Sequence, residues 1–350
     1  MRIGLYGMPA AGKSHIMDQV DFMDVYHGSS MLHQYDQDFE CRDALGREKG
    51  RKAIAKMLLE KDEFIMDGHY AFGDDLAFTE EDGTLYDTIL YLFIDPQILK
   101  KRMSESAKNH KYLVHDIDLW QKHEINALRA FCHQNNKDFH VIDNPPENCF
   151  NDVSLVVDFI RDIKKGYSCV AYARESVATI LQRCSSNEIF LLDGDKTLIV
   201  EDSSNLVFGY TTHLYDGNFY TGYQSWKQNK EFAQYTVPDI KELPVRFNDK
   251  VLSQIGADSF ILTSGHEKVW RFISDYLQRP FFFGTRMSAE TKFFITKFLQ
   301  EAGKTVIAYG DGMNDYFMMK QADIGYLVPK QNGTVSRSLR DRDLEGLIRV

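Results

Sequence analysis

The sequence predicts an α/β protein made of two three-layer αβα domains with parallel sheets. Three observations carry this expectation. Short apolar runs, Arg2-Ile3-Gly4-Leu5-Tyr6, Phe64-Ile65-Met66, Ile189-Phe190-Leu191-Leu192, Phe260-Ile261-Leu262 and Thr305-Val306-Ile307-Ala308-Tyr309, each open into a loop that starts with Gly, Asp or Thr. Helical spacing of apolar residues fills several of the intervals between them, the alternation that builds parallel sheets. The length of 350 residues exceeds the usual size of one domain.

The composition is that of a soluble globular protein, rich in Phe and Tyr, with no apolar run long enough to span a membrane. Met1-Arg2 leads straight into a strand, so no signal peptide is expected. The five cysteines, at 41, 132, 149, 169 and 184, show neither CxxC pairing nor metal-ligand spacing. Free thiols in a reducing cytoplasm account for them, and a cytoplasmic location is the expectation. A formal net charge of −10 argues against a general nucleic-acid binder, which needs clustered Lys and Arg facing phosphates.

Along the chain, the first strand feeds Gly7-Met8-Pro9-Ala10-Ala11-Gly12-Lys13-Ser14, a full GxxxxGK[ST] Walker A loop. Its backbone N–H groups and the helix that follows make an anion cradle. Lys13 reaches the β- and γ-phosphates of a nucleotide, and Ser14 Oγ can ligate Mg2+. A charge-rich helix around residues 47–60 carries Arg47, Lys49, Arg51 and Lys52, read mainly as a solvated face. The strand at 64–66 ends in Asp67-Gly68-His69-Tyr70, where a carboxylate can organise Mg2+ or the attacking hydroxyl, which makes Asp67 a catalytic candidate. An amphipathic helix is expected between 113 and 132, with Leu119, Trp120, Ile125, Leu128 and Phe131 on its apolar face. A last strand follows at 137–142, then the turn or linker signal Asn144-Pro145-Pro146-Glu147-Asn148.

With the Walker A loop, FIMDGHY and YDTILYLFIDPQILKKRM, this part resembles the adenylate kinase group of P-loop kinases over roughly residues 1–145. The resemblance implies binding of ATP by Gly7, Ala10, Ala11, Gly12, Lys13 and Ser14, with Arg102 near the ATP base or phosphates. Where that group carries the arginines that grip a nucleoside monophosphate, this chain has His33 and Tyr70-Ala71-Phe72. A different small hydroxyl or phosphate acceptor is as good a reading as a nucleotide.

A helical pattern at 151–164 and a break at Gly166 lead to a helix before Cys184. The next strand delivers Asp193-Gly194-Asp195-Lys196-Thr197. Alternate residues of an extended segment share a face, so Asp193 and Asp195 can converge on one ion or substrate. Thr263-Ser264-Gly265 places a hydroxyl and backbone N–H groups at another strand end, SAETKFFITKFLQ puts Lys292 on a helix, and Gly310-Asp311-Gly312-Met313-Asn314-Asp315 adds two more carboxylates. The sixty-seven residues between Asp195 and Thr263 are too many for a simple crossover and are read as a cap. The segment around Phe208-Gly209-Tyr210, Asp216-Gly217 and Trp226 is its aromatic part, read mainly as packing.

In this order the four stretches resemble the haloacid dehalogenase superfamily of phosphohydrolases over roughly residues 185–350. The resemblance implies that Asp193 is a nucleophile giving an aspartyl-phosphate and that Asp195 is the acid and base. Lys292 and either Thr263 or Ser264, with a preference for Thr263, would hold the phosphoryl group. Mg2+ would be held by Asp193, the Asp195 carbonyl and Asp311, supported by Asn314 and Asp315. Glu201 or Asp202 resembles an acidic position of phosphoserine phosphatases.

The expected domains are residues 1–165, kinase-like, and 166–350, phosphatase-like, with the cap at about 203–255. The expected function is bifunctional: an ATP-dependent kinase joined to a Mg2+-dependent phosphatase, acting on a small phosphorylated or hydroxyl-bearing substrate. Two alternatives stand beside it. One is end repair resembling polynucleotide kinase-phosphatase, which the acidic charge opposes; the other is a P-loop domain that binds nucleotide without transfer and regulates the phosphatase.

Overall fold

The computed structural model describes residues 1–350 except 74, 144–152, 209–218, 235–244, 283 and 285. The chain divides into two compact units, Met1–Tyr167 and Ser168–Val350. The linker signal at 144–148 and the segments around Phe208-Gly209-Tyr210 and Asp216-Gly217 lie wholly or partly outside the described residues.

The first unit is built on strands β1 (Arg2–Tyr6), β2 (Asp24–His27), β3 (Phe64–Asp67), the short pair β4 (Ala71–Phe72) and β5 (Asp75–Leu76), β6 (Thr88–Phe93) and β7 (Asp138–Asp143). Five of these form a parallel sheet in the order β2-β3-β1-β6-β7. β1 and β6 run through its middle, so Ile3, Leu5, Ile89, Leu90 and Tyr91 are all fully buried. That is why these two read as continuous apolar runs. β2 was not expected: it is an edge strand whose residues, Asp-Val-Tyr-His, are half-buried or exposed, and it carries no apolar run.

Helices cover the sheet and their starts are fixed by side chains. Asp43 accepts from Gly46 N at the head of Ala44–Leu58, and Asp95 accepts from Gln97 N and Ile98 N ahead of Pro96–Ser104. The long helix Ile117–Gln134 buries Trp120, Ile125 and Leu128, but Leu119 is 65% exposed. The buried stripe runs 117, 120, 121, 124, 125, 128, 129, 132, and position 119 falls off it.

The second unit has strands β8 (Glu188–Leu192), β9 (Ser259–Leu262), β10 (Phe281–Phe282), β11 (Thr305–Gly310), β12 (Ile324–Leu327) and β13 (Ile348–Arg349). They form one parallel sheet in the order β10-β9-β8-β11-β12-β13. Side chains alternate between two cores: Ile189 and Leu191 join Phe294 and Leu299 on one face, while Leu192 joins Trp270 and Tyr309 on the other. Both faces are therefore covered. Since every strand points the same way, all the loops that follow them open at one edge. Successive connections diverge between the neighbours β8 and β11, and the crevice beyond such a switch point is where open α/β sheets place ligands. Among the described residues no helix is long and apolar enough to cross a membrane.

Candidate active sites

Asp193 follows β8 and Asp311 follows β11, so the switch point itself brings the two acidic motifs together. They face a cavity of about 240 Å3 that is also lined by Asp195, Thr263, Ser264 and Asp315. Beneath it Lys292, 0% exposed, extends from the helix Ala289–Glu301 and donates to Asp193 Oδ1 and Asp315 Oδ1, each at 2.7 Å. Burial alone would lower the Lys292 pKa, but the two carboxylates reverse this and hold it above the usual lysine value. The lysine is thus a fixed cation behind two of the carboxylates that line the cavity. Gly310 admits this arrangement, since a Cβ there would lie 2.3 Å from Asp315 Cβ.

Asp311 has its pKa pushed well above the ordinary carboxylate value, first by burial and then by Asp193 and Asp315. One carboxylate oxygen from each of these three residues lies within 4.8 Å of the others. Five carboxylates line the cavity, Asp193, Asp195, Asp202, Asp311 and Asp315, against Lys196 and the buried Lys292, so negative charge is in excess in a poorly hydrated place, and the donors of the trio are all hard oxygens. A divalent cation such as Mg2+ fits that donor set. The Asp195 carboxylate stands outside the trio: Ser203 N donates to Oδ1 at 3.0 Å and Ser203 Oγ to Oδ2 at 2.9 Å. Burial first, then Asp202 and Asp193, raise the Asp195 pKa to about 7, so the group can carry a proton near neutrality.

Both hydroxyls of the next loop reach the cavity. Thr263 Oγ1 accepts from Gly265 N at 3.0 Å, and Ser264 Oγ accepts from Asn314 Nδ2 at 3.1 Å. The two acidic residues after the first motif differ. Glu201 is taken up by Arg246, which donates from its backbone N at 2.9 Å and from Nε at 2.6 Å. Asp202 lines the cavity, receives Lys196 Nζ at 2.6 Å and caps the helix Ser203–Phe208 through Ser204 N and Asn205 N. Ser203 itself was missed by sequence reasoning; two serines after two acids carry no motif. In the region expected as a cap, the helix Gly222–Phe232 buries Tyr223 and Trp226, while Tyr220 and Gln228 line the cavity.

In the first unit the Walker A loop curls through positive φ at Gly7 (155°), Ala10 (64°) and Gly12 (98°), the last at the head of the helix Lys13–Met17. Successive turns of that kind gather backbone N–H groups into an anion nest. Lys13 is folded into the curl, donating to Gly7 O at 2.7 Å and Met8 O at 3.2 Å. Burial lowers its pKa to about 8, against the opposing pull of Asp67 and Glu124. Arg102 Nη1 donates to Ala11 O at 3.3 Å, which places its guanidinium on the same loop, and Ser14 is exposed at the helix start. The nest, the two cations and the hydroxyl fit a nucleotide phosphate chain.

Asp67 Oδ1 accepts from Gly28 N at 2.7 Å, so this carboxylate also fixes the start of the helix Gly28–Tyr35. His69 comes within 3.5 Å of Lys13 Nζ, and burial, then the lysine, push its pKa well below the usual histidine value. Its ring lies 4.6 Å from that of Phe72. His33 is near Glu40, at 3.7 Å, on a half-exposed helix face. A second group missed by sequence reasoning is Glu124, buried at 1% exposure, which accepts from Ala71 N, Trp120 Nε1 and Tyr91 Oη. Its signal was a glutamate inside the apolar stripe of Ile117–Gln134.

No protein-family model matches the chain, and no curated protein matches it. Among solved structures, shikimate kinase from Aquifex aeolicus is similar to 47% of this chain and 97% of its own, at 21% identity and a TM-score of 0.34. Shikimate kinase from Acinetobacter baumannii, in complex with shikimate, is similar over 45% and 93%, at 11% identity and a TM-score of 0.33. A HAD family hydrolase from Salmonella enterica subsp. enterica serovar Typhi is similar over 48% and 69%, at 16% identity and a TM-score of 0.32.

Proposed function

We propose that the unit Ser168–Val350 is a phosphomonoester phosphatase and that Met1–Tyr167 is an ATP-dependent kinase for a small hydroxyl- or phosphate-bearing acceptor. The observation that carries the first half is Lys292, buried and bonded to Asp193 and Asp315, two carboxylates that line a cavity together with Asp195. Lys292 fixes Asp193 by one oxygen, leaving the other to form a bond to phosphorus as the ester P–O bond breaks. Asp195 gives its proton to the departing oxygen and then takes one from the water that hydrolyses the aspartyl-phosphate, releasing phosphate and restoring Asp193. Lys292 and the hydroxyls of Thr263 and Ser264 hold the phosphoryl oxygens. A Mg2+ held by Asp193, Asp311, Asp315 and the Asp195 carbonyl would offset the repulsion between a carboxylate nucleophile and a phosphate dianion.

In the kinase half the nest of Gly7, Ala10, Ala11 and Gly12 would hold the phosphates of ATP, with Lys13 and Arg102 neutralising charge and Asp67 orienting the acceptor. Ser14 would supply an oxygen to the Mg2+ that accompanies ATP. One observation favours a second reading: Lys13 and Asp67 each already hydrogen-bond the unit's own backbone. A P-loop that binds nucleotide without transferring phosphate, and thereby regulates the phosphatase, is that reading.

Incubation with Mg2+, γ-labelled ATP and pools of nucleosides, nucleotides, sugars, amino acids and 5′-hydroxyl oligonucleotides separates them, with Asp193→Asn used to preserve the product. A labelled small molecule supports the kinase. A labelled oligonucleotide points to end repair, and bound ATP with no transfer points to the regulatory reading. Release of phosphate from a phosphomonoester panel by the wild type, absent in Asp193→Asn, supports the phosphatase.

A further inference from the structure

We infer that Ser203 is the positioning residue of the group that protonates the leaving oxygen, a role that rests on the phosphatase reading above. Ser203 is 0% exposed and supplies two hydrogen bonds to Asp195, from N to Oδ1 at 3.0 Å and from Oγ to Oδ2 at 2.9 Å. One residue thus holds both oxygens, and the carboxyl cannot turn about its Cβ–Cγ bond without losing a bond.

The direction of the serine hydroxyl is itself fixed. Trp270 Nε1 donates to Ser203 Oγ at 3.2 Å, and an indole N–H can only donate. The hydroxyl oxygen therefore accepts from the indole, and its single proton goes to Asp195. Trp270 is 0% exposed and held between two glycines: a Cβ on Gly194 would lie 2.4 Å from its ring, and one on Gly265 2.3 Å from Nε1. Gly194 lies between the two motif carboxylates, and Gly265 closes the Thr263-Ser264 loop. The indole registers Ser203 against both.

Helix capping does not account for the hydroxyl. Asp202 caps this helix, its Oδ1 accepting from Ser204 N at 3.1 Å and Asn205 N at 3.2 Å. Ser203 Oγ instead faces the carboxyl that moves a proton. When the Asp193 oxygen bonds to phosphorus and the P–O ester bond breaks, the electron pair goes to the ester oxygen, and the Asp195 proton goes with it to give the alcohol. A nitrophenolate leaves without that proton, whereas an alkoxide does not.

The test compares kcat/KM, which ends at formation of the aspartyl-phosphate, for 4-nitrophenyl, phenyl and methyl phosphate with Mg2+. In Ser203→Ala it should fall about tenfold or more for methyl and phenyl phosphate and less than about threefold for 4-nitrophenyl phosphate. Asp195→Asn should show the same pattern with larger losses. Ser203→Cys, which keeps volume and the backbone N–H but donates weakly, should follow Ser203→Ala and serves if the alanine variant does not fold. Equal losses across the three esters, or no loss, overturn the role of Ser203. Wild-type protein that hydrolyses none of them overturns the phosphatase reading itself, a distinct result.

Discussion

Lys292 Nζ lies 2.7 Å from Asp193 Oδ1, and the lysine is wholly buried. A buried ammonium joined to two carboxylates is costly to break, because removal of the cation leaves both anions uncompensated. Lys292→Met should lower phosphatase kcat by at least about a hundredfold and destabilise the second unit by about 3–5 kcal/mol. Steady-state rates and denaturant unfolding check the two effects. Retained activity would mean that the lysine is only structural.

Removal of divalent cations should abolish phosphate release, and Mg2+ should restore it. Binding should also stabilise the fold, since the crowding that raises the Asp311 pKa is relieved when a cation joins Asp193, Asp311 and Asp315. Thermal unfolding with EDTA and with excess Mg2+ measures this. An unchanged unfolding temperature together with full activity in EDTA would contradict the cation site.

Gly194→Ala places a methyl group against Trp270, 2.4 Å from the ring, and both residues are fully enclosed. Overpacking there should cost about 1–3 kcal/mol and displace the Asp193–Asp195 loop, lowering activity on every phosphomonoester alike. A variant that unfolds like the wild type and retains its rate would show that the loop has room.

Asp258 precedes β9 and ties it to the entry of β8: Ser185 N and Ser186 N donate to its Oδ2 at 2.8 and 2.6 Å. Burial acts to raise its pKa, but these N–H groups and the serine hydroxyls outweigh it and hold the value below that of an ordinary aspartate. The unfolded chain therefore takes up the proton first. The stabilisation is present above the ordinary carboxylate pKa and is lost as pH falls through the folded value. Asp258→Ala should lose about 1–3 kcal/mol at neutral pH, and the difference from wild type should shrink in acid. Denaturant midpoints at pH 7 and at a pH below the ordinary aspartate pKa test it; a difference that is the same at both would contradict the charge argument.

Legibility in the sequence followed burial. β1, β3, β8, β9 and β11 were readable because central parallel strands are apolar along their length, and each hands its last residue to a loop rich in Gly, Asp or Thr. β2, β12 and β13 were not read; β2 and β13 lie at sheet edges with polar or exposed residues, and β12 and β13 are short. Asp193, Asp195, Asp311 and Asp315 stood in motifs whose spacing survives any choice of neighbours. Ser203 and Glu124 did not. Their roles are contacts made across a fold, with Asp195 eight residues away and with Tyr91 thirty-three residues away. The departure of Leu119 from its stripe is a phase error of one residue, which packing alone decides.

The central claim is that Asp193 takes the phosphoryl group, and chemical trapping addresses it most directly. A turning-over mixture of enzyme, Mg2+ and phosphomonoester is quenched in acid and reduced with borohydride, which converts an aspartyl-phosphate to homoserine. Peptide mass spectrometry then locates the product. Homoserine at position 193, absent without substrate and absent in Asp193→Asn, is the predicted result. Active enzyme with no homoserine at 193, or with homoserine at another aspartate, would contradict the account.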